Sequence, residues 1–259
     1  MNMTQTEYRK HDGVSRTELM TLLDKTPLHF KYEHDHPTEN ETPSLLFGRA
    51  VHKMILEPDY FDDEFVVAPQ VDRRTKEGRD LWNAFIENNK GKDVISDDDY
   101  AKIVEMKNAF DANPVARRLL NGGVFETSWF WKDEATGEVC KIRPDCINVL
   151  DGVRFIIDYK TTDSCQDGHF ERSVKKYGYK FQAGMYREGM FQNTFEDYKF
   201  IFIAQEKTAP YAVRIYTCTD EFMNEGYDQF RLAIGTYHAC KESGDWYGYS
   251  NTTLIEEGE

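Results

Sequence analysis

Apolar residues recur at helical spacing through the first third of the chain and give way to β-rich runs after residue 121. Ser15 suits the N-cap of a helix through "RTELMTLLDKT", and Pro27 opens a further turn. Thr42 and Pro43 introduce "SLLFGRAVHKMILEP", a cap followed by proline at the first helical position, with Pro58 as a stop. "EGRDLWNAFIENN" has the period of a third helix. Ser96 followed by Asp97, Asp98 and Asp99 starts a fourth, through "YAKIVEMKNAF", because carboxylates favour the positive end of a helix. A short helix begins near Pro114.

Beyond "NGG" at 121–123 the period changes. "VFETSWFW", "EVCKIRPDCINVL" and "VRFIIDYK" are rich in β-formers and are separated by turn sequences, so they predict a three-strand antiparallel meander. Helices over about 167–176 and 179–192, the strands "YKFIFIAQE" and "AVRIYTC", and a long amphipathic helix from about Thr219 to Lys241 follow. With no repeat, linker or low-complexity tract, the pattern predicts one α/β domain over 1–259. Its helical part covers about 15–120, its core 121–242, and an acidic tail 243–259, ending "IEEGE".

The hairpin "CINVLDGVRFIIDYK" raises a chemical question. Asp151-Gly152 is a preferred two-residue turn, because both positions need positive φ. Leu150 then faces Val153, and counting back places Asp145 opposite Asp158, with Lys160 on the same face. Opposed carboxylates at roughly 5 Å repel, so either one is protonated or a cation sits between them. An exposed acidic pair beside a surface lysine is the other reading. The turn at 133–137 brings Glu126 of the preceding strand to the level of Asp145. Glu126 is either a third carboxylate at this site or an ordinary strand residue.

His52 lies at helical spacing from Leu45, Gly48 and Ile55 and points inward, as a core histidine or as a ligand. Gly48, one turn earlier, leaves room for another group to approach. Gln182 and Tyr186 share a helix face, as a buried hydrogen-bonded pair or as part of the site.

Charge sharpens the picture. The 259 residues carry a formal net charge of −14, which argues against indiscriminate binding of polyanions. Yet "RSVKKYGYKFQAGMYR" from Arg172 to Arg187 holds basic and aromatic residues without an acid, and "RRTKEGR" at 73–79 is a second basic island. Both are solvated helix faces or the places where one polyanion is admitted. Five scattered cysteines, none in a C-x-x-C pair, read as free thiols in a reducing compartment. The polar N-terminus and the lack of a long apolar run predict a cytoplasmic protein.

"RPD" at 143–145 and "DYK" at 158–160 resemble the motif of the PD-(D/E)XK nuclease superfamily, with Asp158 in place of the commoner Glu. Together with "GRAVH" at 48–52 and "QAGMY" at 182–186, they resemble the RecE-type exonucleases (exonuclease VIII) of phage recombination, relatives of the lambda-type exonuclease and the RecB nuclease domain. The resemblance runs from about residue 15 to the last helix. It implies a restriction-endonuclease-like core, a mixed sheet with flanking helices, and a helical N-terminal elaboration. It further implies that His52, Asp145, Asp158 and the backbone carbonyl of Tyr159 hold Mg²⁺ or Mn²⁺, and that Glu126 helps with a second ion. Lys160 would orient or deprotonate water, Gln182 would steady the constellation, and Tyr186 would support it. The implied activity is 5′→3′ digestion of linear duplex DNA by a ring-shaped homo-oligomer, commonly a tetramer, with a RecT-type annealing protein as partner, in the cytoplasm of a bacterial host of a phage or prophage. Arg16, Arg73, Arg74, Arg172, Lys175, Lys176 and Lys180 would contact DNA, Arg16 at the 5′-phosphate. An endonuclease of the same superfamily, a structure-specific nuclease and a non-catalytic DNA-end or interaction module are the alternatives.

Overall fold

The computed structural model describes residues 3–37 and 42–250. A short helix, α1 (Gln5–Lys10), and a two-residue strand, β1 (Val14–Ser15), precede α2 (Arg16–Asp24). Helix α2 starts where the sequence places it, because Ser15 and Glu18 form a reciprocal capping box. The helical part continues with α3 (Pro27–Asp35), α4 (Pro43–Leu56), α5 (Phe61–Glu64), β2 (Phe65–Val67), α6 (Lys76–Asn88), β3 (Asp93–Ile95), α7 (Asp97–Asp111) and α8 (Pro114–Leu120). The Thr42 and Ser96 hydroxyls accept from the amides of Leu45 and Asp99 and so cap α4 and α7. The residue pattern does not reveal α1, β1 or the small parallel ribbon of β2 and β3, all of which are too short to carry a period.

The remaining elements are β4 (Val124–Phe125), β5 (Trp129–Lys132), β6 (Val139–Ile142), β7 (Cys146–Leu150), β8 (Val153–Thr162), α9 (His169–Lys176), α10 (Tyr179–Thr194), β9 (Lys199–Glu206), β10 (Val213–Thr217) and α11 (Asp220–Ser243). The main sheet has the order β10-β9-β8-β7-β4. Strands β8 and β9 run parallel and the other pairs antiparallel, so the sheet is mixed, with helices flanking it. The crossover from β8 to β9 uses α9 and α10, as a parallel pair requires. A second sheet has the order β1-β6-β5.

The meander is present in its expected order, but its first two strands are each broken in the middle. Phe125 pairs with Cys146 in one sheet and Trp129 with Ile142 in the other, the same register on both sides of the gap. Within the gap Pro144 has no amide hydrogen to give, and Glu126 adopts φ of 51°, a left-handed conformation unusual for a residue with a side chain. The ladder stops there and the strands pass from one sheet to the other. The hairpin register is the expected one, with Leu150 opposite Val153 and Cys146 opposite Ile157, and the turn has φ of 52° at Asp151 and 80° at Gly152.

Strand β8 is buried on both faces. Ile156 lies in a core with Phe181, Met185, Phe200 and Phe230, beneath α10 and α11; Ile157 and Tyr159 lie in a second core with Val51, Ile103 and Met106, beneath α4 and α7. By the alternation of a strand, Asp158 and Lys160 face the α10 layer. Helix α10 is pinned by glycine. A Cβ at Gly184 would fall 2.1 Å from the Tyr227 amide nitrogen, and one at Gly226 would fall 1.9 Å from the Lys180 carbonyl oxygen. Helices α10 and α11 therefore touch backbone to backbone. Of the predicted acidic tail, Trp246 stacks on Phe30 with ring centroids 5.4 Å apart, and residues 251–259, with "IEEGE", lie outside the described residues. No described helix is long and apolar enough to cross a membrane.

The glycine contact yields a direct test. Gly184→Ala is expected to lower stability by about 1–3 kcal/mol or more in urea unfolding, because a methyl group there overlaps backbone that cannot move aside. Gly235→Ala, on the facing helix α11 at a position with nothing within 4 Å, is expected to be neutral or to stabilise by up to about 1 kcal/mol. Equal effects of the two changes would contradict the close crossing.

Candidate active site

The end of β8 gathers its charged groups because the strand is central and the strand beside it stops. Asp158 is 1% exposed. Its Oδ1 accepts from Gln182 Nε2 at 2.5 Å, and its Oδ2 lies 2.5 Å from the Lys160 ammonium, an ion-pair contact without hydrogen-bond alignment. The Lys160 Nζ also sits 5.0 Å over the Tyr179 ring. Tyr186, one turn beyond Gln182, packs in the core against Phe200.

Asp145 sits just past the last ladder pair, and its Oδ2 accepts from the Tyr159 amide at 2.8 Å. That turns the carboxylate to the sheet edge, where His52 reaches it from α4. His52 Nε2 lies 2.8 Å from Asp145 Oδ2, and its Nδ1 lies 3.4 Å from Glu126 Oε1. Glu126 arrives through the strand break: its amide donates to the Asp145 carbonyl at 3.1 Å, the last link between the two strands before the gap. Of the ligand residues named from the sequence, the structure thus brings His52, Glu126 and Asp145 together, with one donor atom from each within 4.8 Å of the others. Asp158 is next to them but turned to Lys160 and Gln182. His52 is part-buried; on the same helix Leu45 is exposed, Ile55 is buried and Gly48 has open space beside it.

The electrostatics follow from this crowding. Burial and the charge of Asp145 raise the Asp158 carboxyl to about 6, against the opposing pull of Lys160. Burial and Asp145 also raise Glu126, with His52 and Arg143 opposing. Burial would raise Asp145 too, but His52, Lys160 and the Tyr159 amide outweigh it and the carboxyl is held low. Burial pushes the His52 imidazole down, yet Asp145 and Glu126 more than offset this and bring it up to about 9. For Lys160, burial is likewise outweighed by Asp158 and Asp145, so its ammonium form is favoured.

An imidazole and two carboxylates converging on one point form a donor set for a divalent cation such as Mn²⁺ or Mg²⁺. The residues present therefore fit such an ion. Among the described residues no cysteine joins a cluster of this kind; Cys140, Cys146, Cys165 and Cys240 are buried free thiols, and Cys218 is a part-buried one.

The basic residues divide into two groups. Arg16, at the start of α2, donates through Nη2 to the Tyr177 carbonyl, and its buried Nε has no partner. Arg16, Lys25, Lys176 and Tyr177 line a cleft of about 240 Å³. Asp24 also lines this cleft; Tyr177 stacks near Tyr179 with centroids 5.8 Å apart, and Tyr179 in turn lies under the Lys160 ammonium. Arg172, Lys175 and Lys176 are exposed on α9 and have no ion-pair partner among the described residues, Arg172 meeting only the His169 ring at 3.1 Å. Lys180, in contrast, is paired with Glu225, and Arg187 with Asp197 at 2.9 Å, acids that the 172–187 stretch itself lacks. On the 73–79 island Arg73 lies 4.5 Å over the Trp82 ring and Arg74 is bound to Asp72 at 2.9 Å.

Sequence reasoning passes over Arg143. Its side chain is 12% exposed and donates through Nε to Glu126 Oε2 at 2.8 Å and through Nη1 to Ser128 Oγ at 2.7 Å and the Met3 carbonyl at 2.9 Å. The available signal was its place beside Pro144, where an unpaired strand position can spend a side chain on cross-strand contacts.

Residues 17–255 match a family described as "PDDEXK-like domain of unknown function (DUF3799)". Among solved structures, the chain is similar to one named "Putative exonuclease" from Eubacterium rectale, with a TM-score of 0.64 and 16% identity, over 100% of this chain and 97% of that one. It is also similar to a protein named SSO0001, at a TM-score of 0.40 and 15% identity over 88% of this chain and 81% of that one, too distant to bear on the fold. No curated protein matches the sequence.

The raised imidazole carries a measurable consequence in the metal-free protein. His52 is expected to titrate near pH 9 by NMR. Because the folded value lies above the ordinary one of about 6.5, its contribution to stability is complete below that pH and is lost as pH rises through about 9. A titration midpoint below 7 would contradict the pairing with Asp145 and Glu126.

Proposed function

The chain belongs to the PDDEXK-like domain family, and on that footing we propose that it is a metal-dependent exodeoxyribonuclease acting on linear double-stranded DNA. The observation that carries the reading is the convergence of His52, Glu126 and Asp145 beside the Asp158–Lys160 pair. These are a cation's ligands and a candidate acid–base group at the end of one central strand. His52, Glu126 and Asp145 would hold Mg²⁺ or Mn²⁺, as one or two ions, with Asp158 and the Tyr159 carbonyl alongside. When bound, such an ion supplies charge neutralisation at phosphate and a lowered pKa for water.

The chain's own residues do the rest. Gln182 fixes the Asp158 carboxylate through Oδ1, so that its Oδ2 stays turned to Lys160. Lys160 in its ammonium form can hold an attacking water or a phosphate oxygen by donation. With part of the surrounding negative charge neutralised the ammonium would lose its proton to solvent more readily, and only the resulting neutral amine could take a proton from that water. Tyr186 packs the helix that delivers Gln182. Arg16 and Lys176 in the cleft, with Arg172 and Lys175 exposed on α9, would form the basic approach, Arg16 being the candidate for a 5′-phosphate. Lys180, Arg73 and Arg74 would reach DNA by exchanging their present contacts for phosphate.

Digestion in the 5′→3′ direction, a ring-shaped homo-oligomer such as a tetramer, a RecT-type annealing partner and a role in phage-type recombination rest on the sequence resemblance to RecE-type exonucleases. The likeness to the Eubacterium rectale protein supports the exonuclease reading.

End-labelled linear duplex, incubated with and without Mg²⁺, tests the proposal. Linear DNA with 5′-phosphate ends is expected to be degraded only with the metal, covalently closed circles are expected to survive, and Asp158→Ala or Lys160→Ala is expected to lose at least about 100-fold in rate. Cutting of closed circles would instead indicate an endonuclease, and metal-independent protection of DNA ends a binding module.

A further inference from the structure

Arg143 and Lys141 occupy alternate positions along one strand run and both reach for the same N-terminal segment. Lys141, 4% exposed, donates through Nζ to the His11 carbonyl at 2.7 Å and the Arg9 carbonyl at 3.3 Å, satisfying acceptors at the end of α1. Tyr8, buried on α1, lies under both cations, with Lys141 Nζ 5.5 Å and the Arg143 guanidinium 6.0 Å from its ring. Arg143 then goes one step further than Lys141. The guanidinium that holds the Met3 carbonyl also holds Glu126 Oε2, across the gap where the strand ladder is missing.

From this geometry we infer that Arg143 is a positioning residue for the metal site and couples the N-terminal segment to it; the inference rests on the metal reading given above. Glu126 has a strained backbone, with φ of 51°, and beyond its single amide bond to Asp145 nothing in the backbone ladder orients it. Arg143 supplies the missing constraint. By taking Oε2 it leaves Oε1 facing His52, so the carboxylate offers one oxygen to the cluster in a fixed direction. The planar guanidinium does this with two nitrogens set at a fixed angle, one on Glu126 and one on Ser128 and Met3. A lysine would keep the charge but has a single nitrogen that cannot span these partners. Because one side chain binds both the segment and the ligand, ordering of either favours the other, and the linkage is reciprocal.

Calorimetric titration of Mn²⁺ into the full chain, together with amide hydrogen exchange over α1, decides the matter. Arg143→Lys is expected to weaken Mn²⁺ binding by about tenfold despite the retained charge, the loss usual for a group that orients a ligand. The double change Glu126→Gln with Arg143→Lys is expected to bind like Glu126→Gln alone, since Arg143 acts through Glu126. In the unaltered protein Mn²⁺ is expected to slow amide exchange in α1, and in Arg143→Lys it is not. Ser128→Ala, which removes one acceptor of the guanidinium while leaving both charges in place, is expected to weaken binding in the same direction by less. It serves as the readout should Arg143→Lys fail to fold. Binding by Arg143→Lys equal to that of the unaltered protein, or additive losses in the double change, would overturn the coupling. A folded, unaltered protein that takes up no Mn²⁺ would overturn the metal reading itself.

Discussion

Placing the Glu126, Asp145 and Asp158 carboxylates in one part-dry corner is unfavourable, because burial and mutual repulsion both oppose their ionisation. The protein holds them there by setting a cationic or protonatable group against each: Arg143 on Glu126, His52 on Asp145, Lys160 on Asp158. The imidazole raised to about 9 has a particular meaning in this arrangement. A protonated His52 occupies electrostatically the place that a divalent cation would take, and the neutral ring is the form that could ligate one. The corner is thus balanced in charge by its own cations, and a divalent ion held there would take the place of the His52 proton.

The geometry that creates the corner is a ladder with a gap. Had the first two strands of the meander run unbroken, their side chains would alternate between the two faces of one sheet, and Glu126 could not approach a helix on the second core. The gap at Pro144 and the left-handed Glu126 redirect both strands while preserving their register, and they leave Asp145 free to turn to the Tyr159 amide. From the other side of the sheet, the glycine contact between α10 and α11 lets α10 lie where Gln182 can reach Asp158. Each core therefore delivers one part of the site to the same strand end.

Much of this was written locally in the chain. Ser15, Thr42, Ser96 and Thr219 cap the helices that their positions predict, because a cap depends on residues only three apart. The Asp151-Gly152 turn determines the register of β7 and β8 for the same reason. What the residue pattern left open depends on partners far away in sequence. That Asp158 belongs with Lys160 and Gln182 while Asp145 belongs with His52 follows from which helix covers which face. The basic stretch from Arg172 to Arg187 loses part of its free charge to Glu225 and Asp197, neither of which lies within it. Arg143 reads as an ordinary charged residue before a proline until Met3, Ser128 and Glu126 are seen around it.

His52, Glu126 and Asp145 as one cation site produced by the strand gap can be seen directly in a crystal. Anomalous scattering from a crystal of the protein grown with Mn²⁺ tests it most directly. A peak is expected within coordination distance of the His52 ring, Glu126 Oε1 and the Asp145 carboxylate, with Asp158 and Lys160 beside it. Ordered Mn²⁺ elsewhere in the molecule, with His52 still hydrogen-bonded to Asp145 and no peak between them, would contradict it.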